Sequence, residues 1–144
     1  MLRTMRAVLV VGTALCLLVL VGCGGKKPVT VKGTIELPKT LNVKLAEQDV
    51  IKVGFEPETK GQEGVGATAS ATSRSFTAQV PPGKYKISVS ITPYPGSEGS
   101  EKRKEQLSML NRAFSPSNTK MTYDVTADHE QTITIDLSTG TVKK

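Results

Sequence analysis

The chain is poor in the residues that most often carry catalysis or recognition by stacking. Its 144 residues include no tryptophan, one histidine and two cysteines, and aromatic residues make up 4% of the composition. Nucleic-acid binding usually needs a basic stripe with stacking aromatic rings, so we expect no nucleic-acid partner. The one histidine, His129, lies in a polar link between Asp128 and Glu130. A catalytic triad would need a nucleophile and an orienting acid held in position around this histidine, and no motif places them, so a solvated turn residue is its expected role.

The longest apolar run is too short for a permanent membrane span. It covers residues 7–21, follows Arg3 and Arg6, and gives way to Lys26 and Lys27. A spanning helix needs about 20 apolar residues, whereas the apolar core of a secretory signal has roughly 7–15. We therefore expect residues 1–22 to be a signal peptide that is removed. An uncleaved amino-terminal helix is the alternative.

The end of this run carries the sharpest motif. Leu20-Val21-Gly22-Cys23 resembles the lipobox of bacterial lipoproteins. The resemblance implies that the small residue Gly22 lets a membrane peptidase reach the bond before Cys23, and that the Cys23 thiol accepts a diacylglycerol group bearing acyl chains such as palmitate. One chain binds a membrane only marginally, whereas two or three make the attachment stable. The alternative is that Cys23 is an ordinary small residue near a conventional cleavage site.

Cleavage before Cys23 leaves a short tether at residues 23–28. Five extended residues reach at most about 17 Å, so the domain is expected to lie close to the membrane. Removing Arg3 and Arg6 lowers the formal net charge from +6 to +4. Gly24 replaces the aspartate that resembles an inner-membrane retention signal. We therefore expect the bacterial outer membrane, with the protein facing the periplasm or the cell surface.

The mature chain has no thiol left for other chemistry. With Cys16 expected to leave with the signal and Cys23 expected to be lipidated, we expect no disulfide, redox pair or thiolate metal site. Calcium prefers oxygen ligands, but no Asp-x-Asp-x-Asp-Gly loop occurs. We therefore expect no metal and no cofactor. The carboxylates considered for calcium are Asp124, Asp128, Glu130 and Asp136.

Period-two alternation dominates the chain after the tether and predicts half-buried strands. Pro81-Pro82-Gly83 predicts a tight turn, and residues 127–130 resemble a hairpin link. Seven short strands with turn-rich links predict a β-sandwich over residues 29–138, followed by a C-terminal tail at 139–144. The predicted strands cover residues 29–37, 51–55, 67–71, 76–80, 85–91, 121–125 and 133–137.

One segment departs from the strand pattern. Residues 100–114 are good helix formers, and Leu107, Leu110 and Phe114 recur at helical spacing. This narrow apolar stripe predicts a helix inserted between the fifth and sixth strands and packed on the sandwich. A partner-binding helix is the alternative.

Three stretches carry a family resemblance. Val31-Lys32-Gly33-Thr34-Ile35, Val53-Gly54-Phe55-Glu56-Pro57 and the hairpin-like residues 76–87 resemble the carboxypeptidase regulatory-like domain, as found in small lipoproteins of planctomycete-like bacteria. The resemblance implies a transthyretin-like Greek-key sandwich without a known catalytic role. The chain departs from the family pattern after the first strand, where residues 38–48 form a longer link. It departs again at residues 72–75, which replace an Asp-x-x-Gly turn.

Three hypotheses for function follow. The favoured one is a non-enzymatic envelope lipoprotein that acts as a structural or interaction module, attached to the membrane through its lipid and contacting an envelope protein or glycan. The second is a glycan- or peptide-binding surface that uses residues 61–71 or the exposed ring of Tyr94. The third, an enzyme, would need an acid–base pair in a deep cleft, and no motif places one.

Overall fold

The domain consists of strands and one helix. The computed structural model describes residues 26–39, 45–96 and 99–144. The predicted all-β sandwich with one inserted helix is confirmed, and it contains one strand more than the seven predicted. The elements are β1 (Val29–Glu36), β2 (Val50–Pro57), β3 (Val65–Ser70), β4 (Ser75–Val80), β5 (Gly83–Thr92), α1 (Glu101–Ala113), β6 (Thr122–Val125), β7 (Gln131–Asp136) and β8 (Thr141–Lys143).

The strands form two four-stranded sheets. Sheet A has the order β4-β1-β7-β8, and sheet B has the order β3-β2-β5-β6. Neighbouring strands are antiparallel except β1 and β7, which pair in parallel with Val31 opposite Gln131. The chain therefore moves repeatedly from one sheet to the other, and each sheet combines strands that are distant in sequence.

The core lies between the sheets and contains the apolar residues of each alternating pattern. In β2, Ile51, Val53 and Phe55 are at most 1% exposed, whereas Lys52 between them faces solvent. The Phe55 ring meets Phe76 and Tyr85 edge-on, with ring centroids 6.2 and 6.1 Å away. Each such buried side chain contributes roughly 1.5–3 kcal/mol relative to exposure.

Phe76 explains why the neighbouring strand has a glycine at the position that faces it. Gly33 of β1 is paired with Phe76 of β4. A Cβ atom at Gly33 would lie 2.2 Å from Cζ of the Phe76 ring. The ring therefore occupies the space where any other residue at position 33 would place its side chain.

Two links that the sequence presents as hairpins instead cross between the sheets. β4 lies in sheet A and β5 in sheet B, and Pro81 and Pro82 connect them. The Tyr85 hydroxyl donates to the Pro81 carbonyl at 2.7 Å and holds this crossing, as a tyrosine corner does in other sandwiches. Gly83 begins β5 and is not part of a tight turn. The hairpin predicted here was wrong.

The link from β6 to β7 crosses in the same way. β6 borders β5 in sheet B, and β7 lies between β1 and β8 in sheet A. The Tyr123 hydroxyl donates to Oε1 of Gln131 at 2.6 Å, and Nε2 of Gln131 donates to the Thr126 carbonyl at 2.9 Å. Tyr85 and Tyr123 are 1% and 8% exposed, so both rings belong to the core between the sheets.

The predicted C-terminal tail contains the eighth strand. β8 pairs with β7, with Val142 opposite Ile135. The Asp136 carboxylate accepts from the backbone N–H of Ser138 and Thr139 and from Nζ of Lys143, at 2.9, 3.2 and 3.1 Å. The sandwich therefore extends beyond residue 138, and the three-residue strand was too short to produce a recognisable alternation.

The boundaries of β3 also differ from the prediction. The strand covers Val65–Ser70, and Ala71 is buried in the turn that follows it. Arg74 ends this turn in the left-handed region, with φ of 51°. Its N–H donates to the Ser70 carbonyl at 2.9 Å, and its carbonyl accepts from the N–H of Ile35 at 2.8 Å. These bonds fix the turn that connects the edges of the two sheets.

Helix α1 lies along the part of β5 that the shorter strand β6 does not reach. Ser100 caps the helix by accepting from the backbone N–H of Arg103, and Leu107 and Leu110 are buried. Asn111 bonds Ile91 twice: Oδ1 accepts from its N–H at 2.7 Å, and Nδ2 donates to its carbonyl at 2.9 Å. This amide therefore replaces a neighbouring strand at that point.

The chain after α1 continues to cover the same edge. The Phe114 carbonyl accepts from the N–H of Val89 at 2.9 Å, and the Met121 carbonyl accepts from the N–H of Ile87 at 2.9 Å. The Thr119 hydroxyl donates to the Ile87 carbonyl at 2.7 Å. The predicted helix is thus confirmed, and it closes a sheet edge.

Candidate functional site

The predicted lipidation and cleavage residues lie outside the described part of the chain. Gly22 and Cys23, the signal peptide at 1–22 and the first residues of the tether precede Lys26, where the description begins. Lys26, Lys27 and Pro28 are exposed and lead directly into β1, whose first residue, Val29, is 7% exposed. Within residues 26–39, 45–96 and 99–144, no helix is long and apolar enough to cross a membrane.

The carboxylates considered for calcium do not converge. Glu130 pairs with Lys32 at 2.9 Å on the outer face of sheet A, and Asp136 pairs with Lys143 at 3.1 Å at the other end of β7. Asp124 is exposed on β6, and Asp128 lies in the exposed link with His129. Among the described residues, no three His, Cys, Asp or Glu side chains group closely enough to hold a metal ion.

Hydrogen bonds from its neighbours depress the pKa of Asp136. The strongest effect comes from Lys143, and the Thr139 side chain and two backbone N–H groups add to it, against the opposing effect of burial. Together they hold the pKa of Asp136 at about 2, below its ordinary value of 3.8. This carboxylate is thus a charged clamp between β7 and β8, which explains its position on a strand face.

A surface depression lies on the outer face of sheet B. We call it the sheet B groove; it has a volume of about 480 Å³ and crosses β3, β2 and β5 toward the end of α1. Its floor is made of small or polar residues that alternate with the buried core positions. These floor residues are Lys52, Gly54, Gly66, Thr68, Ser88 and Ser90.

Two glycines keep the middle of the floor low. Gly54 and Gly66 lie opposite each other in the pairing of β2 with β3. A Cβ atom at Gly54 would lie 2.4 Å from Oγ of Ser88, so a larger residue there would displace the serine. No atom lies within 4 Å of the corresponding position at Gly66, which opens to solvent.

The wall of the groove is held rigidly. Asn111 and Phe114 line it, and both are bonded to β5 as described above. Ser115 and Pro116 complete this side. Because the Asn111 side chain and the Phe114 carbonyl are hydrogen-bonded to the backbone of β5, the groove is a property of the folded domain and not of a free loop.

The lining combines hydrogen-bonding groups with a partly buried ring. Lys52 supplies an ammonium group, the serines and Thr68 supply hydroxyls, and Phe114 supplies apolar surface. Ligand sites commonly pair apolar surface with a few polar groups that orient the ligand. The predicted ligand-binding region at residues 61–71 contributes Gly66, Ala67 and Thr68, whereas Asn111 and Phe114 carried no local sequence signal for a role in the groove.

Tyr94, the aromatic residue predicted to be exposed, lies away from this groove. Its side chain is 51% exposed, and its backbone N–H donates to Oδ1 of Asp49 at 3.0 Å. Asp49 also accepts from the N–H of Ala46 at 2.7 Å and forms an ion pair with Arg103 of α1. Tyr94 is thus presented by a loop that a buried carboxylate fixes to the helix.

The chain was compared with protein families, curated proteins and solved structures. No family model, no curated protein and no solved structure matches it.

Proposed function

We propose that this protein is a lipid-anchored lipoprotein of a bacterial cell envelope, with a non-enzymatic sandwich domain that acts as a structural or interaction module. The observation that carries the proposal is the spacing between the lipobox-like residues and the domain. Cys23 is followed after five residues by Val29, which is already part of the core. Cleavage before Cys23 would therefore leave almost no linker, and the folded domain would sit directly at the membrane surface.

Composition and fold agree with this proposal. Residues 7–21 are short for a spanning helix and suit a signal, and the two-sheet sandwich is the fold class that the carboxypeptidase regulatory-like resemblance implies. We place the protein at the outer membrane, because Gly24 follows Cys23.

The test is acylation of the full chain in a lipoprotein-processing bacterium fed an alkyne analogue of palmitate. The wild type should be labelled and should sediment with membranes, whereas Cys23→Ala should be unlabelled. Cys16→Ala is the matched control and should behave as wild type, because Cys16 lies within the signal. Equal labelling and equal sedimentation of wild type and Cys23→Ala would rule the anchor out.

A second candidate function is glycan or peptide binding in the sheet B groove. The rigid wall and the polar floor support it, and hydroxyls with one ammonium group suit a neutral or acidic polar ligand. Calorimetry with oligosaccharide fragments of envelope glycan tests it, comparing wild type with Lys52→Glu. Lys86→Glu is the matched control, because Lys86 is exposed on β5 outside the groove. Weaker binding by Lys52→Glu alone is expected, and equal heats for all three proteins would reject the groove.

A further inference from the structure

One edge of sheet B has little of the protection usual for exposed strands. β3 pairs with β2 on one side and ends the sheet on the other. Its six residues, Val65–Ser70, include no charged residue and no proline. Soluble proteins usually protect edge strands with charges, prolines or short length, because unpaired backbone groups attract another strand.

The backbone groups free at this edge follow from the hydrogen bonds of β5. Ile87, Val89 and Ile91 direct their N–H groups away from β2, toward the segment after β5. Hydrogen bonding alternates along antiparallel strands, so the alternation in β5 fixes the alternation in β2 and, through the pairing of β2 with β3, that in β3. The backbone N–H and C=O groups of Gly66 and Thr68 therefore point away from β2. These two residues therefore offer donors and acceptors to an added strand.

Charges of opposite sign flank β3. Glu63 lies two residues before the strand and Arg74 four residues after it, and both are exposed. Neither forms an ion pair with another described residue. In an antiparallel pair of two β3 strands, Glu63 of each copy would lie at the end of the pair where the other strand enters the turn that carries Arg74. The uncharged centre would bring no like charges together.

We infer that β3 pairs with β3 of a second copy of this chain, antiparallel and centred on Thr68. Thr68 would then face Thr68 of the other copy, and Gly66 would face its Ser70. Cross-strand threonine pairs are favourable in sheets. The two four-stranded B sheets would join into one continuous sheet around a two-fold axis normal to it.

The edge of β4 fits this pairing less well, although Ser75–Val80 is also uncharged. Arg74 precedes β4, and Pro81 and Pro82 follow it. An antiparallel pair of β4 strands would thus place each arginine opposite prolines, with no carboxylate to meet it.

The pairing would bring the two sheet B grooves together on one surface. Gly66 and Thr68 line the groove of each copy, so the grooves would adjoin across the axis. β1 lies in sheet A, so both tethers would start from the sheet that packs behind the grooved sheet. The resulting orientation, with the grooves facing away from the membrane, rests on the proposed lipid anchor. The strand pairing itself does not.

Disulfide crosslinking of the full chain in its bacterial host tests the pairing. Facing residues of a hydrogen-bonded antiparallel pair have Cα atoms about 5.5 Å apart, which suits a disulfide. Thr68→Cys should therefore give a covalent dimer of this chain on mild oxidation. Thr77→Cys, exposed on β4, is the matched control and should stay largely monomeric. Equal crosslinking of the two variants, or crosslinking of Thr68→Cys mainly to a different protein, would overturn the inference.

Analytical ultracentrifugation of the detergent-solubilised protein gives an independent measurement. The wild type should sediment as a dimer, and Thr68→Lys as a monomer because two ammonium groups would face each other. Glu63→Arg should weaken the dimer, and Glu63→Arg with Arg74→Glu should restore it. A wild type that is membrane-bound but monomeric would overturn the pairing and leave the anchor intact. A dimer that persists in a soluble Cys23→Ala protein would support the pairing without the anchor.

Discussion

On one side of the sandwich the sheets end in β6 and β8, and on the other they end in β3 and β4. The first side, which we call the covered side, has edge strands of four and three residues that carry Asp124 and Lys143. Helix α1 and the chain after it also bond the part of β5 that β6 leaves bare. The second side, the open side, has two uncharged strands of six residues each. The same sandwich thus blocks strand addition on one side and leaves it available on the other.

The largest expected loss of stability on the covered side comes from replacing Asp49. Its side chain is fully buried and holds Arg103 of α1 as well as two backbone N–H groups. Removing one partner of a buried ion pair costs about 3–5 kcal/mol, because the other charge stays buried. Asp49→Ala should lower the free energy of unfolding by about that amount in urea. Glu47→Ala, in the same link but exposed, is the control and should change it little.

Asn111→Leu should produce the next largest loss on the covered side. The substitution removes both bonds to Ile91 and leaves a partly buried N–H and carbonyl unpaired. Each unsatisfied group costs about 1–3 kcal/mol, so a total of roughly 2–4 kcal/mol is expected. Met109→Leu is the control, since Met109 is 60% exposed on the same helix. Equal free energies of unfolding in urea for the two variants would contradict the proposed role of the Asn111 amide in place of a neighbouring strand.

On the open side the sharpest test concerns the contact between Phe76 of the edge strand β4 and Gly33 of its neighbour β1. Adding a Cβ atom should force the Phe76 ring to move, and overpacking of this kind costs about 1–3 kcal/mol. Gly33→Ala should therefore be destabilised, and a second substitution, Phe76→Leu, should recover part of the loss. Thermal unfolding of the two single variants and the double variant forms a double-mutant cycle. Strict additivity of the two changes would contradict the contact between residue 33 and the ring.

The smallest effect concerns the clamp that holds β8 on the covered side. Because the folded state lowers the pKa of Asp136 to about 2 from 3.8, its stabilising effect should be complete above pH 4. It should disappear as the pH falls toward 2. The difference in unfolding free energy between wild type and Asp136→Asn should shrink over that interval. A difference that stays constant from pH 5 to pH 2 would contradict the clamp.

Local sequence patterns predict the faces of the strands better than their partners. The alternation in Ile51, Val53 and Phe55 identifies a buried face, because a strand turns successive side chains to opposite sides. The same alternation does not specify which sheet a strand joins, so the links at 81–83 and 127–130 were mistaken for hairpins. Helix α1 was recognisable from the spacing of Leu107 and Leu110.

The groove was harder to predict because its parts come from distant segments. The sequence predicts a binding region at residues 61–71, but the wall of the groove depends on Asn111 and Phe114. An asparagine on a helix has no local feature that predicts a bond to a strand twenty residues earlier. The flat floor depends on the match between Gly54 and Ser88, which only the pairing of β2 with β5 brings together.

The parallel pairing of β1 with β7 has a consequence for the order in which the domain forms. Val31 meets Gln131, one hundred residues later in the chain. Closing a loop of that length costs about 4 kcal/mol of chain entropy, and among the described strands β4 is the only other neighbour of β1. During synthesis or transport from the amino terminus, sheet B through β5 can assemble before sheet A is complete. β1 can pair with β4 early, but it gains its second neighbour, and the sandwich is completed, only when residues 131–136 are available.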